Sequence, residues 1–303
     1  MAQEIGVLLT AMVTPFNEDG SVSYEAAEKL AALLVADGSD GIVVSGTTGE
    51  SPSLTDDEKI ELVKAIKKAI PGKAVVAGTG SNDTHHSVKL SERAMKAGAD
   101  ALLAVVPYYN KPPQEGMYQH FKAISEVGPT IMYNIQGRTA VNMTATTTLR
   151  CAELPGVIGT KEASGDLDQI GLVCAGKPDN FRVWSGDDSW TLPLLAVGGH
   201  GVICVVSHIA GRSMKKMIEA HAKGDNESAR RIHSVLLPVI KALMTTAANP
   251  VPIKSVLNAV GFPAGPFRLP LVPLSKEQLD SVMQTVRQAG DLISFPVGVP
   301  AKS

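Results

Sequence analysis

Lys161 is the residue whose type and position point most directly to chemistry. It closes the apolar run Val157–Thr160. A lysine that ends a buried strand either extends to solvent, as most lysines do, or lies in the mouth of the fold. Shielding from water favours the neutral amine, and a neutral amine forms a Schiff base with a carbonyl substrate. The position at the end of a strand therefore predicts a nucleophilic lysine.

Schiff-base chemistry also needs groups that carry protons, and three hydroxyl residues could supply them. Tyr133 ends the apolar run that precedes the one closed by Lys161, Tyr109 follows the run before that, and Thr47 follows the second run of the chain. Each residue taken alone is explained equally well by core packing or turn formation. Their shared position after different strands favours a relay built from Tyr133, Tyr109 and Thr47.

The polar residues near these positions favour a carboxylated substrate over a phosphorylated one. Thr47 and Thr48 lie in a glycine-flanked turn whose hydroxyl and N–H groups suit a carboxylate, and Arg138 could bind a carboxylate with its planar fork. Asp187–Asp188 adds negative charge where phosphate-binding barrels present N–H groups. An anion-binding site at the glycine-rich run Gly198–Gly201 remains an alternative.

Eight short apolar runs recur about every thirty residues and alternate with stretches of helical period. Such near-continuous runs are typical of parallel strands buried on both faces, and eight of them close a barrel without edges. The fold class is therefore predicted as α/β, a (β/α)₈ TIM barrel. The predicted strands are Val7–Thr10, Gly41–Ser45, Ala74–Ala77, Ala101–Val106, Thr130–Tyr133, Val157–Lys161, Arg182–Ser185 and Gly201–Val206.

The helices between these strands have recognisable starts. Ser23 precedes a predicted helix over Tyr24–Val35, and Thr55 precedes one over Asp56–Ala69 with Glu58 placed for a capping box. An open doubly wound sheet is the alternative architecture. It is disfavoured because Phe16–Gly20 follows the first strand in place of a G-x-G-x-x-G turn.

The pattern is purely helical from Ile209 onward. Breaks at Gly224–Asp225, Asn249–Pro250 and Gly261–Pro273 predict about three extra helices. We expect residues 1–208 to form the strands and helices of the barrel. We expect residues 209–303 to supply the last barrel helix and a helical appendage packed as one unit with it, with a disordered tail over Gly298–Ser303.

Composition excludes several classes of function. A net charge of −2 in 303 residues offers no basic field for nucleic acid or an anionic membrane, and no signal peptide or membrane span is evident. Cys151, Cys174 and Cys204 fit no zinc or redox spacing, so a reduced cytoplasmic protein is expected. The histidines, including His85 and His86, show no metal-binding pattern, and Gly78–Gly80 lacks the lysine of a P-loop.

The motifs taken in order resemble the dihydrodipicolinate synthase/N-acetylneuraminate lyase family over about residues 5 to 290. The motifs that carry the resemblance are Gly46–Glu50, Pro107–Pro112, Tyr133–Asn134 with Gly137–Thr139, Lys161–Gly165 and Ser185–Asp188.

The resemblance implies an activity in which pyruvate condenses with Lys161 without any cofactor. Thr47 and Thr48 would hold its carboxylate, and Gly186 and the backbone near Ile203 would line the pocket. Tyr133, Thr47 and Tyr109 would carry protons, with Tyr109 reaching the neighbouring subunit's site. Arg138 would bind aspartate 4-semialdehyde, the acceptor, on the route to diaminopimelate and lysine. The implied assembly is a homotetramer, a dimer of dimers.

Two departures from the family pattern leave alternatives open. Gln136 replaces the usual proline before Gly137, so the loop that aims Arg138 could be looser or bent differently. A sibling pyruvate-dependent aldolase that takes a sugar acid or another aldehyde is therefore one rival, and a non-catalytic small-molecule-binding barrel is another. His86 replaces the glutamate of lysine-inhibited relatives in a possible effector site. That site comprises Ser51, Asn82, His86 and Tyr108, and weak or absent inhibition by lysine is expected.

Overall fold

Eight parallel strands close a barrel in sequence order in the computed structural model, which describes residues 5–294. The last strand returns to the first, with Leu9 opposite Ile203. The strands are β1 Leu8–Ala11, β2 Gly41–Val44, β3 Ala74–Gly78, β4 Ala101–Val105, β5 Thr130–Asn134, β6 Val157–Glu162, β7 Arg182–Ser185 and β8 Gly201–Cys204. The predicted TIM barrel is confirmed, and the open sheet is excluded.

Helices cover the outside of the barrel and continue beyond its last strand. The helices of the described residues are α1 Tyr24–Ala36, α2 Asp56–Ala69, α3 Thr84–Lys96, α4 Gln114–Ser125, α5 Gln136–Thr139, α6 Ala145–Ala152, α7 Leu167–Gly176, α8 Thr191–Ala196, α9 Ser207–Ala222, α10 Asn226–Thr245, α11 Val251–Ala259 and α12 Lys276–Gln288. The predicted capping box of α2 is present, because Thr55 accepts from the N–H of Glu58 and the Glu58 carboxylate accepts from the N–H of Thr55.

Side chains alternate between the two faces of each strand, which sorts the core into two layers. On β5, Ile131 and Tyr133 belong to a cluster inside the barrel, whereas Met132 packs towards the helices. The inner cluster includes Leu9, Val43, Val76, Leu103, Ile131, Tyr133, Trp184 and Ile203. Lys161 lies opposite Tyr133 on one neighbouring strand and opposite Trp184 on the other. This register places the lysine in the inner layer.

The predicted end of the eighth strand was wrong by two residues. Val205 and Val206 do not continue β8, because their N–H groups donate to the carboxylate of Asp188 at 3.0 and 2.6 Å. An N–H bonded to a side chain is no longer available to a strand partner. The side-chain contact therefore ends the strand and starts α9.

Three helices, α10 to α12, follow the last barrel helix, as the breaks at Gly224 and Pro250 predict. This region is tied to the barrel by two ion pairs, Lys254 with Glu50 and Arg268 with Glu58. The predicted disordered tail lies outside the described residues. Within residues 5–294, every helix is too short or too polar to cross a membrane.

Candidate active site

Lys161 lies inside the open end of the barrel. Its side chain is 5% exposed, and its Nζ is 4.2 Å from the centroid of the Tyr133 ring. Lys161 forms no ion pair with any carboxylate of residues 5–294, whereas another buried lysine, Lys254, is paired with Glu50. The Lys161 amine is therefore shielded from water and packed against an aromatic face. No carboxylate holds it in place, which leaves it free to bond to a substrate carbon.

Gly186 gives the Lys161 side chain its space. A Cβ atom at Gly186 would lie 3.1 Å from both Cγ and Cε of Lys161 and 2.8 Å from Cβ of Ala163. The Gly186 N–H donates to the carbonyl of Glu162 at 2.7 Å, so its backbone is anchored beside β6. The predicted site residue Gly186 thus contacts the stem of the lysine.

We expect Gly186→Ala to lower kcat by about tenfold to a hundredfold, because a displacement of the amine by a fraction of an ångström disturbs the attack geometry. Steady-state kinetics and the far-UV CD spectrum measure the effect and confirm folding. Gly171→Ala is the matched control, since a Cβ there meets no atom within 4 Å. Equal rates for both variants would contradict the role of Gly186.

A cavity of about 570 Å³ opens at this end of the barrel and joins two groups of predicted residues. Thr47, Tyr133 and Arg138 are among the residues that line it. Within the described residues, no hydrogen bond links Thr47 to Tyr133, so the relay is not closed by direct contact. Lys161 packs against the ring of Tyr133, and Tyr133 in turn lines the cavity. All four predicted effector residues line the same cavity: Ser51, Asn82, His86 and Tyr108.

Asn249, a residue that the sequence marked only as a helix break, lies between Thr48 and Arg138. Its side-chain Nδ2 donates to Thr48 Oγ1 at 3.0 Å, and its carbonyl accepts from Arg138 Nη2 at 3.2 Å. Thr48 and Arg138, the two proposed carboxylate binders, thus share one partner from the C-terminal region.

Ile203, which was predicted to line the pocket, lies in the inner cluster with Tyr133.

Residues 4–289 match the model of the dihydrodipicolinate synthetase family. The chain belongs to this family. It is 52% identical over 288 residues to the 4-hydroxy-tetrahydrodipicolinate synthase of Moorella thermoacetica, covering 94% of this chain and 98% of that protein.

Solved structures of this family superimpose on nearly the whole fold. The dihydrodipicolinate synthase of Cyanidioschyzon merolae with lysine bound has a TM-score of 0.92 and 44% identity, covering 94% of this chain and 98% of that chain. A variant described as the first monomeric dihydrodipicolinate synthase has a TM-score of 0.91 and 39% identity, covering 94% and 97%.

Tyr109 is the one predicted relay residue that the fold does not bring to the others. Its side chain is 89% exposed, and its backbone has a φ of 74°. Tyr108 is 38% exposed and borders the cavity. Tyr109 therefore extends away from the site of its own chain, so the predicted relay of Tyr133, Tyr109 and Thr47 is not assembled within one chain.

Gln136 occupies the first position of α5, the short helix that carries Arg138. The N–H of Arg138 donates to Ile135 at 3.0 Å and that of Ala140 to Gln136 at 2.9 Å, so the turn is closed. The first helical position also suits proline, because its N–H has no partner within the helix. The family's usual proline and Gln136 are therefore both compatible with this ordered turn. The effect of Gln136 on the acceptor remains a prediction.

Asp188 fills the place where phosphate-binding barrels hold an anion. Its carboxylate accepts from the N–H groups of Val205 and Val206 at the start of α9. The run Gly198–Gly201 leads into β8, whose first residue is Gly201, and so lies at the opposite end of the barrel from the site. The expectation of a carboxylated rather than phosphorylated substrate in this family member is thereby supported.

Burial raises the pKa of Asp188 to about 6, while the N–H bonds from Val206 and Val205 oppose the rise. A folded pKa above the unfolded value means that the folded state binds the proton more tightly, so stability falls as pH rises from about 4 to about 6. We expect the wild-type protein to lose about 3 kcal/mol across this window relative to Asp188→Asn, which cannot ionise. Urea unfolding of both proteins at pH 4 and pH 7 measures the difference, and parallel pH profiles would refute it.

Proposed function

We propose that this chain is a class I lyase that condenses pyruvate with aspartate 4-semialdehyde to 4-hydroxy-tetrahydrodipicolinate, a step of lysine and diaminopimelate biosynthesis. The observation that carries the proposal is the buried amine of Lys161, which packs against Tyr133 and Gly186 and has no ion-pair partner within residues 5–294. Family membership and the Moorella relative support the same activity. The enzyme needs no cofactor, because Lys161 itself forms the covalent intermediate.

In the proposed reaction, Nζ of Lys161 adds to the keto carbon of pyruvate, and loss of water gives the Schiff base. Loss of a methyl proton gives an enamine, whose carbon bonds to the aldehyde carbon of the acceptor. The acceptor's amino group then displaces Lys161 from the keto carbon and closes the ring. Tyr133, Thr47 and Tyr109 carry the protons.

The substrate carboxylates distinguish this proposal from its rivals. Thr47 and Thr48 are assigned to pyruvate, and Arg138 is assigned to aspartate 4-semialdehyde by a bidentate contact. A sibling aldolase for 2-keto-3-deoxy sugar acids would not need the guanidinium of Arg138 to bind its acceptor aldehyde. Turnover on the semialdehyde, compared with turnover on such sugar acids, separates the two activities.

The decisive experiment is borohydride reduction in the presence of pyruvate, followed by peptide mass mapping. We expect a reduced pyruvate adduct on Lys161. An unmodified Lys161 would favour the non-catalytic binding barrel and overturn the proposal.

The assembly and location belong to the same proposal. We propose a cytoplasmic homotetramer, a dimer of dimers, in which Tyr109 enters the partner's site. The 89% exposure of this aromatic side chain supports a partner that covers it. Residues 209–303 are proposed to act as one unit with the barrel, which the Lys254–Glu50 and Arg268–Glu58 pairs support. Sedimentation velocity at assay concentrations tests the assembly.

We expect lysine to inhibit this enzyme about 10- to 100-fold more weakly than an otherwise equal site that offers a carboxylate, since a charge-assisted hydrogen bond is worth about 1.5–3 kcal/mol. His86 replaces that carboxylate, and its Nε2 lies 2.8 Å from Asp56, which Lys59 also approaches at 3.8 Å. Inhibition curves for the wild type and His86→Glu measure the effect. A wild type as sensitive as His86→Glu would contradict it.

A further inference from the structure

Asn249 is buried in the connection between α10 and α11, 8% exposed, and contacts both proposed carboxylate binders. Its Nδ2 donates to Thr48 Oγ1, and its carbonyl accepts from Arg138. Thr48 is itself 2% exposed. The bond between Asn249 and Thr48 therefore lies away from solvent, where its direction matters most.

The direction of this bond determines what Thr48 can offer a substrate. A hydroxyl has one proton and two lone pairs. Because Nδ2 of Asn249 donates into a lone pair of Thr48 Oγ1, the Thr48 proton remains available, and within residues 5–294 no group accepts it. A substrate carboxylate only accepts hydrogen bonds, so it requires this free proton.

The orientation of the Asn249 amide follows from the partners around it. Asn249 Oδ1 is buried without a hydrogen-bond partner in the described part of the chain. The reversed amide would bury an unpaired NH₂ group instead, and orphaned donors are rarer in proteins than under-satisfied carbonyls. The orientation that donates to Thr48 is therefore the favoured one.

The segment that carries Asn249 is held firmly against the turn that carries Thr48. Five residues after Asn249, Lys254 Nζ lies 2.7 Å from the carboxylate of Glu50, two residues after Thr48. Both side chains of this pair are at most 1% exposed. The C-terminal region thus reaches the substrate turn at two points.

We propose that Asn249 is a positioning residue that fixes Thr48 as a hydrogen-bond donor to the carboxylate of the keto acid. This inference rests on the proposed function, because it assumes that Thr48 binds that carboxylate. Asn249 acts through Thr48 and has no part in bond making. It also connects Thr48 to the guanidinium that binds the acceptor.

Asn249→Asp and Asn249→Ala separate this role from simple packing. The carboxylate that Asn249→Asp introduces can only accept, so it takes the Thr48 proton and turns the lone pairs of Thr48 towards the substrate. We expect the KM for pyruvate to rise about 10- to 100-fold in Asn249→Asp, with a smaller change in kcat. Asn249→Ala leaves the Thr48 proton free, and its KM should rise by less than about tenfold.

A merely structural role gives the opposite order, because aspartate preserves the shape of asparagine and alanine leaves a gap. A KM for Asn249→Ala equal to or above that of Asn249→Asp would therefore overturn the inference. Asn180→Asp is the control for added charge, since Asn180 is exposed. If Asn249→Asp fails to fold, Thr48→Val replaces it: this variant removes the donor and should raise the KM more than Asn249→Ala does.

Different experimental results would overturn the proposed function and the proposed role of Asn249. Absence of a trapped pyruvate adduct in the wild type would overturn the proposed function. A trapped adduct together with the wrong order of KM values would overturn the role of Asn249 alone.

Discussion

Lys161→Met should abolish the trapped pyruvate adduct and lower kcat by about a hundredfold or more. The methionine side chain keeps most of the volume of the lysine stem beside Gly186 and Tyr133 but has no amine. Without the amine, the reaction loses the covalent route that divides one difficult step into easier ones. A hundredfold loss corresponds to about 2.7 kcal/mol of transition-state stabilisation. The residues proposed to bind and orient the substrates, Thr48, Arg138 and Tyr133, are unchanged in this variant, so a residual rate is expected.

The measurements for this variant are steady-state kinetics and mass mapping after borohydride treatment. Lys89→Met is the matched control, because Lys89 is on the surface of α3 with 58% of its side chain exposed. It should retain the wild-type rate and the adduct. If the Lys161→Met protein still incorporated pyruvate at another lysine, that other lysine would be the nucleophile.

The barrel could be predicted from the sequence because its signals are local. Each strand is a short apolar run, and its neighbours in space are its neighbours along the chain, so Val157–Lys161 and Thr130–Tyr133 were found to within one residue of the observed strands. The position of Lys161 at the end of a strand implied its place in the mouth. The same reasoning failed at Val205 and Val206, where a bond from Asp188 decides the end of the strand.

The hydrogen bond and the ion pair that hold the site's turn in place could not be predicted in the same way, because they join distant parts of the chain. The bond between Asn249 and Thr48 spans 201 positions, and the pair of Lys254 with Glu50 spans 204. Neither residue type nor local spacing signals such a contact. Tyr109 shows the converse, since its motif marks a site residue but its exposed side chain lies apart from the candidate site of its own chain.

The ion pair of Lys254 and Glu50 is the most deeply buried one within residues 5–294, with both side chains at most 1% exposed. Nζ of Lys254 lies 2.7 Å from Glu50 and 4.1 Å from the centroid of the Phe16 ring. Burial lowers the pKa of Lys254, and the bond to Glu50 opposes that change. Glu50 also has a left-handed backbone, with a φ of 56°, a conformation that costs a non-glycine residue about 1–2 kcal/mol. The pair helps to hold this conformation in the turn that carries Thr48.

Lys254→Met should therefore lower the free energy of unfolding by about 3–5 kcal/mol, because it leaves the Glu50 carboxylate buried without its counter-ion. Urea unfolding measures the change, with Lys276→Met as the control, since its pair with Asp280 is largely exposed and worth at most about 1 kcal/mol. The double variant Lys254→Met with Glu50→Gln should recover part of the loss, because the unpaired charge is gone. A single variant as stable as the control would contradict this prediction. The turn would then be held by its other hydrogen bonds, among them those from the Arg268 N–H to Glu50 at 3.3 Å and from the Thr14 hydroxyl to the carbonyl of Gly49 at 2.7 Å.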